Sequence, residues 1–257
     1  IREPRSGPIA LAAAVLLAAT ILPAIAATQT SSSPASDMAS MPDMPGMAMP
    51  ASPGPRWTDR EWSTFNHRAI GWFLFLWGAT ALIAAVLPPE NGFRFVPPLM
   101  LFGAAEFLFV HGDPEAWPLG PVGPIEGLRD PEVLQHRVFL LLLLAMGTIE
   151  LLRAAGRLSP FWRKYSLPVL AVFGAVYLFF HKHGGAAMAH MKMDADPAMA
   201  ASMALVKHEH LWFSMFGFGL AAAKLGSDTG VLKGRAGRAL WAVFAVALGL
   251  YMTGYVE

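Results

Sequence analysis

Histidine and methionine side chains carry most of the chemistry that this chain offers. Its eight histidines lie at the ends of apolar segments or in a loop between them, and all fall on one side of a membrane in the topology derived below. Imidazole nitrogen and thioether sulfur together are ligands of soft transition metals, above all copper. The candidate histidine ligands are His67, His111, His136, His181, His183, His190, His208 and His210.

Methionines recur in two stretches, 38–49 and 188–203. In the first, four methionines are spaced by three with prolines between them, and a polyproline II chain would align them on one edge. Thioethers suit Cu(I) and bind hard cations poorly. Two alternatives to metal binding remain. In the first, the methionines simply belong to a low-complexity linker that is Met-rich. In the second, the histidines are interfacial residues that contact only water and lipid head groups. The candidate methionine ligands are Met38, Met41, Met44, Met47, Met188, Met191 and Met193.

The histidines belong to different predicted helices, so a single site requires them to converge. His67, His111 and His136 lie one per helix, and ionisable residues within membrane spans usually face the bundle interior. Residues two apart, as in 181/183 and 208/210, lie about 200° apart on a helix, so one of each pair faces the bundle. We therefore expect one shallow pocket at the outer end.

Four acidic residues accompany the histidines. Asp113, Glu115 and Glu209 are expected to accept hydrogen bonds from imidazole N–H groups and so orient the ligands. Glu106 lies within a predicted span, about 7 Å deeper than His111 at 1.5 Å per residue. Such a carboxyl group is either a relay for cations or protons, or a protonated acid bonded to a neighbouring helix.

The composition indicates a membrane protein. Of the 257 residues 55% are hydrophobic and 14% are charged, whereas soluble domains carry about 25% charged residues. The absence of cysteine excludes disulfides and iron–sulfur clusters. A net charge of +1 gives no reason to expect nucleic acid as a partner.

The apolar pattern predicts an all-α polytopic membrane protein with three regions. Residues 1–27 have the basic start, apolar run and small-residue site of a signal peptide, or form an uncleaved anchor. Residues 28–57 are predicted to be a disordered Met/Pro-rich tail. Residues 58–257 are predicted to form a six-helix transmembrane domain. The predicted spans are 64–87, 95–111, 132–152, 164–182, 206–224 and 237–255.

The loops predict the orientation. Basic residues concentrate at 153–164 and 224–238, while the alternate loops at 112–131 and 183–205 are mainly acidic. The positive-inside rule places the basic loops in the cytoplasm. The N-terminal tail and the C-terminus are then periplasmic, in a multi-pass protein of a bacterial inner membrane.

A signal segment, an exported Met-rich tail and a histidine-edged bundle resemble bacterial copper-resistance membrane proteins of the CopD type, over about residues 38–257. The resemblance implies copper binding at the outer face of the inner membrane, for resistance, storage or transport. Its expected partners are the lipid bilayer, the metal ion, and a periplasmic copper carrier or a membrane complex.

Two other functions remain open. The first is a b-type cytochrome with bis-histidine haem, although transmembrane electron transfer normally needs a second histidine pair near the inner face. The second is a non-catalytic accessory subunit of a respiratory or copper-oxidase complex. Copper is the expected cofactor, ahead of zinc or haem b. The sequence contains no HExxH motif, phosphate loop or nucleophile–base arrangement that would indicate an enzyme.

Overall fold

The computed structural model describes residues 57–88, 91–181 and 197–256. Within these ranges the chain is helical and has no β-strand, which confirms that the fold is all-α. The predicted signal segment, almost all of the predicted tail and the Met-rich stretch 188–193 lie outside the described residues. The helices are α1 (Asp59–Val86), α2 (Val96–His111), α3 (Pro124–Gly127), α4 (Pro131–Ala154), α5 (Pro160–Phe179), α6 (Pro197–Thr229) and α7 (Gly234–Thr253), with a 3₁₀ turn at Gly92–Phe95 before α2.

Side-chain caps fix where two of the site-bearing helices begin. The Thr58 hydroxyl accepts from the Glu61 backbone N–H at 3.3 Å, and the Glu61 carboxylate accepts from the Thr58 backbone N–H at 2.8 Å. This reciprocal capping box starts α1. Asp130 caps α4 by accepting from the backbone N–H of Glu132 at 2.8 Å. The caps set the register of His67 in α1 and of His136 in α4.

Six long helices coincide with the six predicted spans, with one clear difference in extent. Helix α6 begins at Pro197, whereas the apolar span was predicted from residue 206. The intervening stretch is rich in alanine and methionine, which are strong helix formers. The helix therefore continues beyond the apolar segment.

Three helical segments in the described ranges are long and apolar enough to cross a membrane. They are Arg60–Val86, Gly92–His111 and Gly234–Thr253. Helices α4, α5 and α6 are also long, at 24, 20 and 33 residues.

The six long helices pack as a closed ring. Going round it, the order is α1, α7, α6, α5, α4, α2 and back to α1. Glycines allow the closest approach, between α1 and α7: a Cβ on Gly249 would lie 2.2 Å from the Phe75 backbone nitrogen. Small residues permit such backbone contact between helices. Since neighbouring helices alternate in direction, the starts of α1, α4 and α6 meet the ends of α2, α5 and α7 at one end of the ring.

Candidate metal centre

Three histidines from three separate helices meet at this end of the ring. His67 lies in α1, His181 follows the end of α5, and His210 lies in α6. One ligand nitrogen from each lies within 4.8 Å of the other two. The ring centroids of His181 and His210 are 4.9 Å apart, and those of His67 and His210 are 5.5 Å apart. His210 is the buried member, with 2% of its surface exposed.

Backbone carbonyls fix the tautomer of two of these rings. Nδ1 of His67 is 2.9 Å from the Ser63 carbonyl oxygen, and Nδ1 of His210 is 2.8 Å from the Val206 carbonyl oxygen. A carbonyl only accepts, so in each ring Nδ1 carries the proton and donates it. The lone pair is then on Nε2, as in metal-binding histidines whose other nitrogen is held by a carbonyl.

A fourth imidazole adjoins the three. The centroid of His136 lies 5.5 Å from that of His181. Its Nδ1 is 2.8 Å from Oδ1 of Asp113, which follows the end of α2 and is 8% exposed. A carboxylate on the second ring nitrogen makes an imidazole a stronger ligand. His67, His136, His181 and His210 are called the histidine cluster below.

The segment that follows α7 supplies Tyr255. Its ring stacks on His67 with centroids 4.2 Å apart and planes 24° apart. Its backbone carbonyl accepts from Nε of Arg68 at 3.0 Å. Tyr255 is 1% exposed, so it forms a rigid wall that holds the His67 ring. The sequence analysis did not predict a role for Tyr255. An aromatic residue at the end of the last predicted span, at the end of the bundle that carries the histidines, was the feature that could have indicated it.

The spacing suits a small transition metal ion after a slight contraction. Imidazole nitrogens bind zinc at about 2.0–2.1 Å, so two ligands of one ion are separated by at most about 4 Å. The three nitrogens, within 4.8 Å of one another, need to move inward only slightly. A ligand set made of imidazoles suits copper or zinc far better than magnesium or calcium.

Two other predicted histidine ligands make different contacts. The His111 backbone carbonyl accepts from the Trp62 ring N–H at 2.9 Å and the Asn66 amide at 2.7 Å. The His111 ring lies against Phe107, at 5.0 Å between centroids. His208 is exposed, and its Nε2 accepts from the Trp212 ring N–H at 3.2 Å. Neither belongs to the group of three.

Of the four predicted acidic residues, Asp113 alone contacts the histidine cluster among the described contacts. Glu115 is exposed, and Glu209 interacts with the hydroxyl of Tyr251 on α7. At 100° per residue, Glu106 lies roughly 150° around α2 from the buried stripe formed by Leu101, Ala105 and their neighbours. It therefore lies on the outer side of the ring.

The remaining predicted ligands lie outside the described residues. They are His183, His190, Met188, Met191 and Met193, and the tail methionines Met38, Met41, Met44 and Met47.

Comparison of the chain with protein-family models, with curated proteins and with solved structures found no match.

Replacing Asp113 by asparagine tests whether the carboxylate strengthens the site. The asparagine oxygen still accepts from His136, so the geometry persists while the negative charge is lost. We expect the affinity for an added transition metal ion to fall about 10–100-fold, the usual effect of changing a group behind a ligand. The measurement is a competition titration with a chelator. Glu115→Gln is the control, since it removes an exposed acid two positions away; an equal loss in both variants would contradict the assignment.

Proposed function

We propose that this chain is a membrane protein that binds copper at one end of a six-helix bundle, through His67, His181 and His210 with His136 adjoining. The observation that carries the proposal is the approach of three imidazoles from three helices, with ligand nitrogens within 4.8 Å. Isolated interfacial histidines have no reason to converge. Burial of an imidazole costs free energy unless its nitrogens are bonded. One metal ion would bind a nitrogen of each of the three imidazoles at once.

The outer surface of the ring supports six membrane spans rather than three. On α5, Val169, Phe173 and Val176 are 62%, 48% and 42% exposed and form one outward stripe. Comparable exposed apolar residues lie on α4 and α6, including Leu141 at 64% and Met215 at 55%. Large continuous apolar surfaces of this kind mark contact with lipid.

Aromatic residues and charges support the orientation. Trp57 is exposed near the histidine end, while Phe161 and Trp162 are exposed at the opposite end. Aromatic rings of this kind gather at the two membrane–water interfaces. The end opposite the histidine cluster carries the basic loops and is assigned to the cytoplasm by the positive-inside rule. The histidine cluster then faces the periplasm of a bacterial inner membrane.

Copper is preferred over zinc because of the methionines that the sequence carries at 38–49 and 188–193. An imidazole cluster alone accepts either metal. Thioethers are soft ligands, which favour Cu(I). We propose that they collect the ion and pass it to the histidine cluster.

The geometry weighs against haem. In a bis-histidine cytochrome the two axial imidazoles lie on opposite faces of the porphyrin, which occupies the plane between them. Here one ligand nitrogen from each of three imidazoles lies within 4.8 Å of the other two. Whichever pair were axial, the third ring would stand where the macrocycle has to be.

Metal titration of the detergent-purified protein tests the proposal. We expect at least one equivalent of copper to bind tightly and to be released by acid, because imidazole binds metals only in its neutral form. Zinc should displace Cu(I) from the site poorly. The absorbance spectrum of the purified protein should show no haem band. A preparation that retains no copper after exposure and dialysis would contradict the proposal.

A further inference from the structure

A continuous apolar layer fills the ring between the histidine cluster and the opposite end. Trp77, Leu101, Leu167 and Ala245 belong to it and are at most 1% exposed. Among the residues that the structure describes, no ionisable side chain is buried within this layer. Met146 is buried in it and Met100 packs against it, and two thioethers are fewer ligands than the histidine cluster offers. A cation entering the layer would lose its ligands and water without replacement.

The end beyond this layer is closed by paired charges. Arg153 on α4 lies 2.8 Å from Glu150 and 3.1 Å from Asp228 on α6, and the Lys224 amine lies 2.9 Å from Asp228. Lys224 also lies over the Trp241 ring of α7, 5.0 Å from its centroid. Glu150, Arg153, Lys224 and Asp228 are called the inner ion cluster below.

The inner ion cluster links helices that are not neighbours in the ring. Helices α4 and α6 are separated by α5, and Arg153 and Asp228 reach across to each other. Its two acids are matched by two bases, so it offers no excess negative charge to a cation. Along both α4 and α6 it lies about 21 Å from the histidine cluster, at 1.5 Å per residue.

Among the residues that the structure describes, the histidine end is open by comparison. His181 and Asp113 directly follow the ends of α5 and α2, so the cluster lies at the rim of the ring. His67, His136 and His181 all keep part of their surface exposed. A group arriving from this side reaches the imidazoles without passing the apolar layer.

We propose that the ion held by the histidine cluster enters and leaves at that end only. The chain is then a one-sided copper acceptor, which exchanges its ion with a copper carrier on the same face and does not conduct it across the membrane. The carrier presents imidazole or thioether ligands that replace the cluster nitrogens one at a time. This inference rests on the proposed function, because it takes copper to be the bound ion.

The test uses the full-length protein in liposomes that contain a copper-sensing dye. Because the chain has no cysteine, single variants Glu115→Cys at the histidine end and Arg157→Cys at the opposite end report orientation by labelling with an impermeant maleimide. Copper is loaded first, and a membrane-impermeant copper chelator is then added outside. His210→Ala in the same liposomes is the control for leakage.

We expect the chelator to remove copper from the fraction of molecules whose Glu115→Cys site is labelled from outside. The dye signal in the lumen should stay equal to the signal measured in liposomes that contain His210→Ala. A wild-type rise in lumen copper above that level would overturn the proposal. Removal of copper from molecules with the Arg157→Cys end outward would overturn it as well. Failure of the purified protein to bind copper is a separate result: it would overturn the proposed function and this inference with it.

Discussion

Replacement of His210 by alanine is expected to lower copper affinity at least about a hundredfold, since changes behind a metal ligand alone cost about 10–100-fold. His210 is the buried member of the three, and its ring contacts both of the others. Its loss leaves two of the three converging imidazoles, with His136 adjoining His181, and this smaller set holds an ion more weakly. The measurement is a competition titration against a chelator of known affinity.

His208→Ala is the matched control for His210→Ala. It removes an imidazole two positions away in α6, but that ring is exposed and bonded to Trp212. We expect its affinity to remain within about threefold of wild type, the ordinary scatter of a surface change below 1 kcal/mol. His181→Ala repeats the test at a partly exposed position and should lose affinity as His210→Ala does. Equal affinities for the 208 and 210 variants would contradict the site.

Replacement of Lys224 by methionine is expected to destabilise the bundle by about 3 kcal/mol, the lower end of the cost of removing one partner from a buried ion pair. Methionine keeps the length of the side chain and removes its charge. Asp228 is then left with Arg153 as its cation, and the contact with the Trp241 ring loses its charge. Copper binding should be little changed, because the histidine cluster is about 21 Å away.

The measurement for Lys224→Met is the free energy of unfolding in mixed detergent, followed by circular dichroism. Lys233→Met is the control, since Lys233 lies at the same end of the bundle but is exposed. We expect that variant to unfold within about 0.5 kcal/mol of wild type. If Lys224→Met were as stable as Lys233→Met, the inner ion cluster would not hold this end of the bundle together.

The sequence predicted the helices well because their signals are local. The spans follow from long apolar runs, and the Thr58–Glu61 capping box and the Asp130 cap that begin α1 and α4 likewise involve residues close together in the chain. The positions of the cluster histidines at or near the ends of their helices were also predicted. The sequence did not show whether His208 or His210 joins the cluster, because that depends on which face of α6 meets the bundle.

The contacts that the sequence did not predict all depend on the order of helices round the ring. Helix α7 packs beside α1, and this brings Tyr255 onto His67. Arg153 and Asp228 are distant in the chain, and their pairing follows only from the closed ring. His111 was expected to join the site, yet its place at the end of α2 puts its ring among Trp62 and Phe107.

X-ray absorption at the copper edge, on full-length protein loaded with one equivalent, tests most directly whether imidazoles from separate helices bind one ion. The predicted spectrum shows three or four nitrogen ligands with the multiple scattering of imidazole rings, and His210→Ala reduces that contribution. A shell made of sulfur alone, or one that His210→Ala leaves unchanged, would contradict the account.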